Sequence, residues 1–191
     1  RTLRVYKKTV SIVNETAIGM YQNLVGDKIG FLLESYDKNY DRYTFMGVEP
    51  EELIASEGQS LVITKADGSR EVRNGNPLDL LKEYYSEFEI IHDHAELNFS
   101  GGLVGQLGYD FIRYTEVLPD NNPDEIGIET IQMMLMTKFL MIDHVAETMT
   151  AVILDADDAD GKARALKEAD VMIQEARKNR GQASEFQFHR D

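Results

Sequence analysis

Ile131-Gln132-Met133-Met134-Leu135-Met136-Thr137-Lys138-Phe139-Leu140-Met141-Ile142 passes through Asp143-His144-Val145-Ala146-Glu147 into Thr148-Met149-Thr150-Ala151-Val152-Ile153-Leu154. The first stretch is a long apolar run, the last is rich in residues that favour strands, and the polar step between them is short. Together they read as a hairpin of buried strands. Upstream, Ser60 to Lys65 meets Ala66-Asp67-Gly68-Ser69, where Asp-Gly is the pair that accepts the positive φ of a tight hairpin turn. Arg42 to Val48 and Leu53 to Ser56 precede it as further strands, so the middle of the chain reads as a meander.

Further out, Leu3 to Ile12 reads as a first strand and Gly30 to Tyr36 as an apolar strand that ends abruptly in Glu34-Ser35. Helices are few. Asn14 or Thr16 is placed to cap a short helix whose apolar positions are Ala17, Met20, Tyr21 and Leu24, with Gly26 at the position after its end. Asn76-Pro77 is a capped helix start, and Leu78, Leu81, Tyr84, Tyr85 and Phe88 are its expected buried face. The last helix carries Ala165, Ala169, Met172, Ile173 and Ala176 on one stripe. Strands without long helices between them argue against a doubly wound parallel sheet. The fold class read is α+β: a largely antiparallel β-sheet or sandwich with a few flanking helices. Residues 1–180 form one domain in this reading. Residues 181–191 are polar and patternless, as a linker is.

Of the 191 residues 42% are hydrophobic, enough for one core. The 20 basic and 34 acidic side chains give a net charge of −14, which repels phosphate backbones and anionic lipid. Nucleic acid and membrane surfaces are therefore not expected partners, and no apolar stretch approaches the roughly 20 residues that span a bilayer. The chain has no cysteine, so thiolate chemistry and disulfides are excluded, and a cytoplasmic location is expected. The start at Arg1, without Met, reads as a trimmed one.

Side chains suited to chemistry are sparse. His92-Asp93-His94 lacks a third ligand at metal-binding spacing. His144 beside Asp143 reads either as a base held by a carboxylate or as a hairpin end. Gly101-Gly102-Leu103-Val104-Gly105-Gln106-Leu107-Gly108 matches neither a phosphate loop nor a dinucleotide fingerprint; it reads as a strand closely approached by another backbone or a ring. No catalytic residue and no metal site are expected. Glu34-Ser35 differs in kind, because an apolar strand ending in a carboxylate and a hydroxyl suits an amphipathic amino acid: carboxylate for the ammonium, hydroxyl for hydrogen bonding, apolar walls for the side chain. Arg42 is placed to face the ligand carboxylate or to pair with Glu34. A strand end turning to solvent is the plain alternative.

Phe31-Leu32-Leu33-Glu34-Ser35, Arg42-Tyr43-Thr44-Phe45-Met46-Gly47, Asn76-Pro77-Leu78, the run Phe99 to Asp110 and Asp143-His144, in this order and spacing, resemble the N-terminal domain of the anthranilate synthase component I family. The resemblance covers about residues 3 to 180. It implies an enzyme that converts chorismate and ammonia, supplied by a glutamine amidotransferase subunit, to anthranilate and pyruvate in tryptophan biosynthesis. It implies Mg²⁺ in the full-length enzyme and none in this part, since the family's chorismate and Mg²⁺ residues lie in a C-terminal catalytic domain beyond this chain. This part alone is accordingly expected to be inactive. The family's Leu-Leu-Glu-Ser motif binds tryptophan as feedback effector, which carries over to Leu33, Glu34 and Ser35, with Arg42 as a further candidate. The aminodeoxychorismate synthase component I of folate synthesis shares the architecture, and a free-standing amino-acid-binding or interaction module is the non-enzymatic alternative.

Overall fold

The computed structural model describes residues 1–34, 42–93, 97, 99–118 and 127–178. Strands β1 (Thr2–Ser11), β2 (Gly30–Glu34), β3 (Tyr43–Val48), β4 (Glu52–Ser56), β5 (Ser60–Lys65), β6 (Arg70–Asn74), β7 (Glu89–Ile91), β8 (Gly102–Leu107), β9 (Ile131–Met136), β10 (Lys138–Asp143) and β11 (Thr148–Asp155) form two sheets. One has the order β2-β3-β10-β11-β1-β7 and the other β6-β5-β4-β9-β8. Every neighbouring pair is antiparallel except β1 with β7. The α+β, largely antiparallel reading holds.

The long apolar run is not one strand. Ile131–Met136 pairs with β4 and β8, whereas Lys138–Asp143 pairs with β3 and β11, and Thr137 alone carries the chain from one sheet to the other. The Thr137 carbonyl is held at this seam by the Leu154 N–H, at 2.7 Å. Both halves are apolar on both faces because the layer between the sheets takes Met136 and Met134 from one half and Phe139 and Met141 from the other. Their opposite faces meet helices. Leu140 and Ile142 lie under α1 (Ala17–Leu24) and α3 (Ala159–Ala176), while Ile131 and Leu135 pack with Leu81 and Tyr84 of α2 (Pro77–Ser86).

Local signals act as expected in the helices. The Thr16 hydroxyl accepts the Gly19 N–H at 3.1 Å and caps α1, so Thr16 rather than Asn14 is the cap; Gly26 follows with φ of 56°. Asn76 Oδ1 accepts the Leu78 N–H at 3.0 Å at the start of α2. The small stripe of α3 is wholly buried, which lets that helix lie close on the sheet. Tyr85 corrects the expected face of α2: the buried line is Leu81 and Tyr84, and Tyr85 turns outward over Gly102. Residues Tyr109–Tyr114 form a 3₁₀ helix that the sequence pattern did not reveal. The polar tail 181–191, the end of the loop 118–124, His94 and His189 lie outside the described residues.

Candidate functional site

Strand β2 is an edge strand, and its last two residues point to opposite faces because side chains alternate along a strand. Leu33 follows Phe31 onto the inter-sheet face, opposite Phe45 and near Tyr43. There the rings of Phe45, Phe99 and Phe139 pack at centroid distances of 4.7 to 6.4 Å. Leu33 remains 52% exposed at the rim of this aromatic layer. Glu34 follows Leu32 onto the helix-bearing face, directly across from Thr44. Ser35 lies outside the described residues.

Thr44 is the polar centre of this sheet end, and its polarity in an otherwise apolar strand carried no sequence pattern that would have revealed it. Its side chain stands in a row with Glu34 and Ile142, and the residue is only 1% exposed. Its Oγ1 lies 3.5 Å from Glu34 Oε1 and 2.8 Å from His144 Nε2. Beside His144 a recess of about 410 Å³ opens under the start of α1, walled by Ile12, Met20 and Ile142 and edged by Glu15 and Glu147.

Arg42 does not pair with Glu34. It donates to Asp143 from Nε, at 3.1 and 3.2 Å, and from a terminal nitrogen at 2.8 Å, and its guanidinium lies 5.0 Å from the Tyr43 ring centre. The hydrogen bonds from Arg42 hold the Asp143 carboxyl below the usual carboxylate range, helped by the N–H groups of Val145 and Ala146. Asp143 is thus occupied, and His144 turns to Thr44; a carboxylate-held imidazole base does not form. Among the described residues no group of three or more His, Asp or Glu is placed to hold a metal ion.

A cleft of about 940 Å³ lies elsewhere, at the seam beside α3. Several of its charges pair within it: Lys28 and Lys138 on Glu49, Lys138 on Glu168, and Arg164 on Asp155. Close approach explains the glycine-rich strand, since a Cβ on Gly105 would stand 2.0 Å from the Gln132 carbonyl oxygen and one on Gly102 3.4 Å from the Tyr85 ring.

No family model matches the chain. Anthranilate synthase component 1 of Acetivibrio thermocellus is 28% identical over 141 residues, covering 73% of this chain and 28% of that protein. The same component of Acinetobacter calcoaceticus is 26% identical over 181 residues, covering 90% of this chain and 36% of that protein. The crystal structure of anthranilate synthase component I from Streptococcus pneumoniae TIGR4 superposes with a TM-score of 0.58 at 26% identity, over 88% of this chain and 36% of that one. The chain is similar to anthranilate synthase component I over most of its length. It spans about a third of the length of the curated relatives it matches. The resemblance to anthranilate synthase component I extends over most of the chain, so it takes in the fold as well as the motifs. No helix among the described residues is long and apolar enough to cross a membrane.

Proposed function

We propose that this chain is the N-terminal, regulatory portion of an anthranilate synthase large subunit, and that it senses L-tryptophan at the end of β2. The enzyme it serves takes chorismate and ammonia, the latter from a glutamine amidotransferase subunit, to anthranilate and pyruvate. Chorismate and Mg²⁺ then belong to a catalytic domain outside this chain. This portion alone carries no turnover.

The observation that carries the reading is the split presentation at one strand end: Leu33 at the rim of an aromatic layer and Glu34 on the other face. Because β2 is an edge strand, a ligand that wraps its edge meets both, the carboxylate with its ammonium group and the rim with its ring. Part of the pocket comes from the remainder of the subunit, which is why Leu33 is half open here. Tryptophan then favours the arrangement of the two parts with low chorismate affinity, a coupling of typically about 1–3 kcal/mol. The test is feedback inhibition of the enzyme built with this chain. Replacing Glu34 or Ser35 by alanine is expected to raise the tryptophan concentration for half-inhibition at least about tenfold, the loss of one charge-assisted contact. Unchanged inhibition in both variants would refute the assignment.

A further inference from the structure

The Thr44 hydroxyl has one hydrogen and two neighbours that compete for it. Glu34 Oε1 at 3.5 Å is a carboxylate oxygen and accepts from the Thr44 hydroxyl. His144 Nε2 at 2.8 Å either accepts or donates according to its tautomer. Thr44 is 1% exposed, so water does not supply a further partner. Both contacts are satisfied together in one way only: His144 carries its hydrogen on Nε2 and donates it to Thr44 Oγ1, and Thr44 turns its own hydrogen toward Glu34. The opposite tautomer takes the Thr44 hydrogen for itself and leaves Glu34, exposed at the strand end, to solvent alone.

The imidazole is held where this arrangement needs it. The backbone N–H of His144 donates to the Arg42 carbonyl at 2.8 Å, tying the start of the β10–β11 turn to the start of β3. Asp143 Oδ1 accepts the N–H groups of Val145 and Ala146, both at 3.0 Å, and so fixes the turn from which His144 projects. Arg42 anchors that same carboxylate. Three adjacent features of the β10–β11 turn thus converge on the placement of one ring.

We infer that His144, acting through Thr44, is a positioning residue for Glu34: it commits the Thr44 hydrogen to the carboxylate and orients that carboxylate toward a ligand ammonium group. The inference rests on the effector reading above for the identity of the ligand, but not for the hydrogen-bond order itself. It separates two kinds of ligand. One with an ammonium group depends on the orientation of Glu34; one with the same ring and carboxylate but no ammonium group does not.

The test has two arms on the 191-residue chain. In the first, long-range ¹H–¹⁵N correlation spectra of the histidine side chains read the tautomer of His144. Hydrogen on Nε2 is expected, and hydrogen on Nδ1 with a bare Nε2 overturns the inference. In the second, calorimetry compares L-tryptophan with indole-3-propionate. Thr44→Val and His144→Leu are expected to weaken tryptophan binding about fivefold, the loss of one hydrogen bond to a charged group at the long end of its range. Indole-3-propionate binding is expected to stay within about twofold, because it makes no contact with Glu34. Thr44→Ser and His144→Gln, which keep the hydroxyl and a side-chain N–H donor, are expected to restore tryptophan binding. Equal losses for both ligands, or no rescue by the conservative pair, overturn the positioning role. If the 191-residue chain binds no tryptophan, the same titrations are made on the full-length subunit; absence of binding there overturns the effector reading, and the tautomer alone then upholds or overturns the hydrogen-bond order.

Discussion

Replacing Asp143 tests how the end of the six-stranded sheet is held. The residue is 7% exposed, and its carboxylate does two things at once: it accepts two backbone N–H groups of the β10–β11 turn and it meets Arg42. The backbone part is the larger. Each of the two bonds is worth about 1 kcal/mol net, so Asp143→Ala is expected to cost about 2 kcal/mol. The Arg42 side chain is 52% exposed, so the ion pair is screened and adds little. For a chain of this size each kcal/mol lowers Tm by about 2–4 °C, giving a fall of about 4–8 °C for Asp143→Ala. Asp143→Asn keeps an oxygen acceptor for the turn and is expected to lose less than half as much. Arg42→Ala is expected to be near neutral. Thermal unfolding followed by far-ultraviolet circular dichroism reads all three. If Arg42→Ala fell as far as Asp143→Ala, with Asp143→Asn equally low, the ion pair and not the turn would hold this end, and the reasoning would be refuted.

Gly105→Ala drives a Cβ into the Gln132 carbonyl, and β8 is expected to shift on β9 at a cost of about 1–3 kcal/mol, whereas Gly108→Ala, whose Cβ meets nothing nearer than 3.5 Å, serves as the tolerant control in the same melts. Ile173→Ala, at the α3 contact with the sheet, is expected to cost about 2–5 kcal/mol by opening a cavity, read as a lower urea midpoint at an unchanged slope. Acid should destabilise the chain in a defined window. Arg42, Arg164 and Lys28 hold Asp143, Asp155 and Glu49 below their ordinary values, so these groups stabilise the fold above the unfolded carboxylate range of about 4, and that contribution is lost as pH falls through their depressed folded values. Chemical denaturation from pH 7 to pH 3 is expected to show a plateau and then a decline below about pH 4.

The sequence made local features legible wherever one residue type has one physical use. Asp67-Gly68 forms its hairpin turn, with Gly68 at φ of 82° and Asp67 accepting the Ser69 N–H. Asn76-Pro77 starts α2, and the alanine stripe marks the buried side of α3. Features that depend on distant partners were not legible. The run from Ile131 to Ile142 hides its break because both halves are buried on both faces, so no alternation marks Thr137. The three residues of β7 are too short for a pattern, and their parallel pairing joins Thr2 to Glu89, far apart in the chain. At the candidate site, Leu33 and Glu34 could be singled out as a strand end. The Asp143 partner of Arg42 lies 101 positions away, and Thr44 gains its polar role only when His144 is folded onto it.

The most direct measurement is calorimetric titration of the chain with L-tryptophan, with D-tryptophan and Glu34→Ala as controls. The account predicts stereospecific binding by the parent chain that is abolished in Glu34→Ala. Binding of both enantiomers alike, or binding by Glu34→Ala as tight as by the parent, would contradict it.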